Sequence, residues 1–454
     1  MNTKKTSIDM CNGPLSGKIL RFTIPIILSG VLQLLFNAMD MVVVGRYASD
    51  TALAAVGSTG SVINLLVNLF MGFSIGSGIA ISHEIGAGRK KNVLEIVNTS
   101  ILLSLISGVL VGVTGFVLSR TILIAMDSPA NVIDQSTLYL RIIFVGMPMN
   151  MVYNFGSSML RAMGDTKRPL YYLAVSGIIN VVLNLIFVIV FHMDVDGVAY
   201  ATIISQTVSA ALVVRNLVKG NEFVKLDLRK MKIHRNRLSK ILKIGLPAGV
   251  QSSMFAISNI LIHSSINSFG SVAVSGIAAA GSIEGFVYIV MNAFGQSATT
   301  FSGQNMGAKK YSRITRTMLA CVGMVSLRGL LLGVAVIAFA QPLSEIYCPT
   351  DLKAVAYSVE RLQVIVGTYF LCGIMEVIGG VLRGMGYSFR TMIISLFGVC
   401  VFRVVWVFSI FRYVHTLNCL YISYPVSWTL VSLVNIVLYI VIRKGLKEQK
   451  TVVV

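Results

Sequence analysis

Apolar positions run for roughly 20 residues or more at a stretch along this chain, the length a helix needs to cross a ~30 Å hydrocarbon core. Short segments rich in Lys, Arg, Gly and Pro separate the runs. The runs lack the period-two alternation of lipid-facing strands, which argues against a membrane β-barrel. Twelve helices are predicted, over residues 19–44, 54–81, 94–119, 138–160, 170–191, 197–217, 241–268, 273–302, 314–340, 356–381, 391–411 and 417–441. The fold class that follows is an all-α integral membrane protein with twelve transmembrane helices.

Polar residues interrupt these runs in register. In "LQLLFNAMDMVVVGRY", Asp40 ends a face made of Ser29, Gln33, Asn37 and Asp40, spaced 4, 4 and 3. Helix 2 carries Ser61, Asn64 and Asn68, helix 4 Asn150, Asn154 and Ser157, helix 5 Ser176, Asn180 and Asn184, and helix 6 Thr202, Gln206 and Ser209. In the second half, helix 8 carries Glu284, Tyr288, Asn292, Gln296 and Thr299, and helix 10 Thr368, Cys372 and Glu376. Any one Asn or Ser can be a hydrogen-bonding link between helices, worth about 0.6–2 kcal/mol. Five stripes in one half point instead to a water-accessible cavity. Gln33, Asn37, Asn64, Asn68, Asn154, Gln206, Glu284 and Glu376 are the candidate lining residues. A charge at bilayer depth costs about 2.5–3.5 kcal/mol on insertion scales, so Asp40, Glu284, Glu376, Arg328 and Arg403 each need a cavity or a partner. Asp40 has a second reading as an outer-rim carboxylate, because Arg46 lies only about 9 Å along the helix. Arg328 and Arg403 read as structural counter-charges or snorkelling groups.

Composition agrees with the span pattern. The 454 residues are 55% hydrophobic and 12% charged, against about 25% charged in soluble chains. The net charge of +20 is not a nucleic-acid footprint, since Lys and Arg gather in every second loop rather than in a basic domain. One face collects Lys4, Lys5, Lys18, Arg89–Lys91, Arg161, Lys167, Arg168, the segment 215–243, Lys309, Lys310, Arg313, Arg316, Arg383, Arg390 and the tail from Arg443. The other has only Arg46, Arg120, Arg141, Lys353, Arg361 and Arg412. By the positive-inside rule the first face, with both termini, is cytoplasmic. The first residues have no apolar stretch followed by a cleavage site, so no removable leader is expected. The six cysteines show no CxxC spacing, the five histidines no metal-ligand spacing, and neither GxSxG nor GxxxxGK[ST] occurs. No enzyme activity, cofactor or structural metal is expected, and ATP is not the energy source.

The chain also repeats itself. "LRAMGDTKRP" (160–169) returns as "LRGMGYSFRT" (382–391), 222 residues later. "IP" at 24–25 returns as "LP" at 246–247, and "HEIGAGRKK" (83–91) as "QNMGAKK" (304–310). Each copy has six helices, so the two enter the membrane in the same orientation, as pseudo-symmetric lobes related by an axis along the membrane normal. The lobes are residues 1–217 and 241–454, joined by a basic cytoplasmic linker, 218–240, suited to an anionic leaflet. Two such lobes suggest alternating access.

These features, with "FNAMDMVVVGRY" in helix 1, "GAGRKK" after helix 2 and the paired "LR(A/G)MG" motifs, resemble the bacterial branch of the multidrug and toxic compound extrusion (MATE) family over essentially the whole chain. The resemblance implies a secondary antiporter of the bacterial inner membrane, exporting amphipathic or cationic compounds in exchange for H+ or Na+. It implies a cation-coupling site at Asp40, Asn180, Asn184 and Thr202, with Na+ at Asp40 as one occupant. Relatives commonly carry Asp where this chain has Asn184, so one of two carboxylates is missing. The implied partners are a small-molecule substrate, H+ or Na+ and the bilayer, with no nucleic acid, and the protein is expected to be monomeric. The alternative is a flippase or exporter of a lipid-linked or metabolite substrate. That reading calls for intramembrane Lys or Arg, which the first-half stripes lack before Arg161.

Overall fold

The computed structural model describes residues 7–126, 131–220, 225–349 and 351–451, without the side chains of 50, 51, 53, 58, 61, 62, 64, 65 and 447–451. Regular structure among the described residues is helical throughout. In chain order the spans are α1 (Ser16–Tyr47), α2 (Asp50–Gly86), α3 (Lys90–Ala125), α4 (Ile133–Val145 and Met147–Ala162), α5 (Lys167–Leu185, continued by a π-turn Ile186–Val190) and α6 (Val195–Lys219). The second set is α7 (Arg235–Ile266), α8 (Ser271–Gly307), α9 (Tyr311–Ala338), α10 (Leu352–Gly367 and Tyr369–Gly384), α11 (Ser388–Ser395, a π-turn Leu396–Val401, Phe402–Phe408 and Ile410–Tyr413) and α12 (Leu417–Thr451). Ten unbroken spans are long and apolar enough to cross a membrane, and the two segments of α10, bent by 44°, make an eleventh. The broken α4 completes the twelve.

The repeat is visible in backbone detail. α1 and α7 each carry a proline, Pro25 and Pro247, inside the helix. α4 breaks at Gly146 and α10 at Thr368, again 222 residues apart. In α4 the break has a local cause: Pro148 opens the second segment without a donor N–H, and a Cβ on Gly146 would meet Ile203 at 2.6 Å. Gly164 and Gly386 close the loops after these spans in matching left-handed turns, φ +89° and +97°.

Two compact units emerge, one of Met1–Asp9 and Ile24–Gly249, the other of Met10–Thr23 and Val250–Val454. Within the first, α3 packs on both segments of α4, and α2 crosses the start of α7 at four glycines. Gly72 and Gly76 on α2 lie against the backbone of Gly245 and Gly249 on α7, with no room for a Cβ on any of the four. The small-residue cluster 71–82 serves this close approach. Large apolar side chains cover the outside: Val109, Val113 and Val117 on α3 in the first unit, and Leu327, Leu331 and Val334 on α9 in the second, are all exposed. Outward-facing apolar bands of this kind suit lipid contact.

The segment 218–240 is only partly a loop, since α6 runs to Lys219 and α7 begins at Arg235. Its basic residues do not all face lipid. Arg237 pairs with Glu95 at 2.9 Å, and Lys240 pairs with the buried Glu84 at 2.9 Å. Acids on α2 and α3, Glu84 buried and Glu95 half-buried, hold that end of the segment.

Candidate ion and substrate sites

Within the first unit, three helices bring four of the sequence-selected residues into one hydrogen-bonded chain. Asn180 and Asn184, one helical turn apart, share a face of α5 just before its π-turn. The Asn184 amide donates to the Asp40 carboxylate Oδ1 on α1 at 2.6 Å and, more weakly, to Asn180 Oδ1 at 3.4 Å. Asn180 Nδ2 donates to Thr202 Oγ1 on α6 at 3.4 Å, and Thr202 in turn donates to the Val198 carbonyl at 2.9 Å. Asn184 is fully buried, and its Oδ1 has no hydrogen-bond partner. Asp40 makes no ion pair with the exposed Arg46 among the described residues. It is tied to α5, with an unused oxygen acceptor on the residue that holds it.

The sequence did not single out Tyr139. It is a buried side chain on α4. Its signal was weak, one of four aromatics in the predicted span 138–160. Asp194 was also missed. It accepts hydrogen bonds from the Ser49 hydroxyl and from Gln135 Nε2, both at 2.8 Å, and so ties the ends of α2, α4 and α6 together.

The remaining polar stripes divide. Ser29, Ser176 and Ser209 donate to carbonyls of their own helices, which satisfies them without a ligand. Asn154 Nδ2 bonds to Asn150 on the same helix. Gln33 and Asn37 are exposed on α1, and Asn68 and Gln206 are half-buried. The side chain of Asn64 lies outside the described residues.

In the second unit Glu284 and Glu376 line one cavity of about 350 Å³, together with Arg361, Arg403, Tyr288, Tyr369, Tyr424 and Trp428 among others. Neither acid is a free carboxylate. Arg361 binds Glu284 in a two-pronged pair at 2.7 and 3.0 Å, and Arg383 reaches Glu376 at 3.4 Å. Arg361, which the charge pattern had set on the sparsely charged face, is a buried α10 residue, 4% exposed. Arg403 is not a counter-charge to an acid. Its Nε and Nη2 donate to Ser427 Oγ at 3.2 and 3.1 Å, and its guanidinium lies 4.0 Å from the Tyr424 ring centre. Arg328 is half-buried, with its guanidinium 5.6 Å from the Phe294 ring centre.

Twelve helices in two six-helix copies, with ionisable groups buried among them, make the architecture of an integral membrane transporter. The MatE family model matches residues 25–186 and 247–408, once for each copy. The chain belongs to this family, the multidrug and toxic compound extrusion transporters. It is 27% identical to the probable multidrug resistance protein YoeA of Bacillus subtilis strain 168 over 83% of each chain. It is 22% identical to a FAD transporter of Shewanella oneidensis over 85% of this chain and 86% of that one. An outward-facing multidrug resistance MATE family transporter of the MOP superfamily shares the fold, with a TM-score of 0.91 over 99% of this chain and 100% of the other at 22% identity.

Proposed function

We propose that this protein is a secondary active antiporter that exports amphipathic, cationic compounds in exchange for H+ or Na+ by alternating access. Asp40, Asn180, Asn184 and Thr202 form its ion site. The observation that carries the reading is the 2.6 Å contact between Asp40 and Asn184, with Asn184 Oδ1 left unpartnered beside it. A carboxylate, two amide oxygens and a hydroxyl are hard oxygen donors suited to Na+, and the carboxylate alone can take a proton. Protonation gives Asp40 an O–H donor beside its remaining acceptor oxygen, and Na+ draws oxygen ligands toward the same place. The amide then gains by turning its oxygen toward Asp40, and Asn180 and Thr202 can follow, reversing the direction of the chain. Ion occupancy is thereby written into the relative hydrogen bonding of α1, α5 and α6. The lobes 1–217 and 241–454, a monomer in the bacterial inner membrane and cytoplasmic termini complete this reading. The test is transport by reconstituted protein of a fluorescent cation under an imposed pH or sodium gradient, wild type against Asp40→Asn.

A second reading, export of an anionic metabolite or lipid-linked compound, is favoured by one observation. Intramembrane arginines, absent from the first-half stripes, do line the cavity of the second unit. A relative named as a FAD transporter is consistent with it.

A further inference from the structure

We infer that the cavity of the second unit is a binding site for an aromatic monocarboxylate, with Arg403 as its anchor. This goes beyond the antiport reading and does not depend on it. The argument begins with charge. Four ionised side chains line the cavity, Glu284, Glu376, Arg361 and Arg403. Arg361 is neutralised by Glu284, and Glu376 by Arg383. Arg403, 4% exposed, has no carboxylate within ion-pair distance among the described residues. A neutral hydroxyl, Ser427, and a tyrosine face satisfy its geometry but leave its charge uncompensated. On the same cavity, Arg361 keeps a buried Nη1 with no hydrogen-bond partner. The other polar side chains on the lining, Asn259, His263, Cys372 and three tyrosines, supply no carboxylate.

The shape selects the rest of the ligand. Its volume of about 350 Å³ is at the lower end of the range for small-molecule pockets, about 300–1,000 Å³. Tyr369, Tyr424 and Trp428 form a continuous aromatic wall, with ring centres 5.3 Å apart for Tyr369–Trp428 and 5.8 Å for Tyr424–Trp428. A flat ring packs face-on against one and edge-on against another of these tilted rings, and a single carboxylate balances a single guanidinium with directed, charge-assisted hydrogen bonds. The preference is thus opposite in sign to that of the Asp40 site. It arose by divergence of the repeat, since the first-half counterpart of Arg403 is Val181 and that of Arg361 is Tyr139, each 222 residues earlier.

The experiment uses the full-length protein in phosphatidylcholine nanodiscs, titrated with 2-naphthoate and followed by quenching of tryptophan fluorescence. Saturable binding is expected, weakened about tenfold or more in Arg403→Gln and kept within about threefold in Arg403→Lys. The matched amine, 2-naphthylmethylamine, is expected to bind about tenfold more weakly than the acid. Glu284→Gln releases the Arg361 charge and is expected to tighten naphthoate binding, a direction that loss of structure cannot produce. Equal affinity in wild type and Arg403→Gln, equal affinity for acid and amine, or no saturation overturns the assignment. Gradient-driven cation export by Asp40→Asn is a separate readout, so either conclusion can fail without the other.

Discussion

Replacing Asp40 by Asn keeps the shape of the first-unit site and removes its charge. The Asp40–Asn184 hydrogen bond is charge-assisted, worth about 1.5–3 kcal/mol, whereas the amide–amide bond that replaces it is worth about 0.5–1.5 kcal/mol. That loss of about 1–1.5 kcal/mol is offset by the burial cost the charge no longer carries, so the net change in stability is expected to stay within about 1 kcal/mol. The expected effect on transport is of another order. A tenfold ion gradient supplies about 1.4 kcal/mol per ion, enough for about tenfold substrate accumulation at one ion per substrate. Proteoliposomes with the membrane potential clamped at zero, given a tenfold pH or sodium gradient, should accumulate a fluorescent cation accordingly with wild-type protein. Asp40→Asn should reach a ratio of about one while still exchanging labelled for unlabelled substrate at equilibrium, since ion coupling is lost but the path is not. Accumulation by Asp40→Asn equal to wild type under either gradient would refute the assignment of Asp40 to the ion.

Asn184→Asp places a second carboxylate within hydrogen-bonding distance of Asp40, so two negative charges then demand a cation between them. Sodium-driven uptake should rise relative to proton-driven uptake, as read by the same vesicles with each gradient alone. Arg361→Met strands the buried Glu284 carboxylate and should cost about 3–5 kcal/mol, whereas Arg361→Met with Glu284→Leu should recover most of it, measured by thermal unfolding in detergent. Gly249→Ala drives a Cβ into the α2 backbone at Leu69 and should destabilise by about 1–3 kcal/mol. Gly323→Ala on α9, where a Cβ meets nothing, should instead gain about 0.5–1 kcal/mol, the pair being compared in one melting series.

The spans were readable because lipid-facing helices must be apolar along their length, and Asp40 was readable because its 4, 4, 3 spacing set it on a polar face. The breaks were not. Gly146 has a proline two residues on, but the equivalent break at Thr368 is followed by Tyr369 and Phe370, with no residue that forbids a helix. The partner of Asp40 came from the family resemblance, since no spacing rule links residue 40 to residue 184. The second-unit cavity was hidden for a different reason. Its aromatic wall looks like ordinary membrane apolarity, and Arg361 looks like a loop charge until Glu284, 77 positions away, is seen to hold it.

The broken fourth span has a consequence for how the protein is made. Its segments, 13 and 16 residues long, carry Asp134, Gln135, Arg141 and Arg161, and the span is not among those long and apolar enough to enter lipid unaided. What receives it is already present, because Gly108 on α3 lies against Pro148, and Gly112 and Gly115 against Phe144. A helix synthesised one span earlier thus offers a notched surface into which the reluctant one fits. The packing predicts that α4 settles in the bilayer only when α3 is there to receive it, which glycosylation mapping of truncated chains would read. A bulky substitution at Gly112 would then be felt first as a misplaced fourth span in the newborn chain, before any substrate is met.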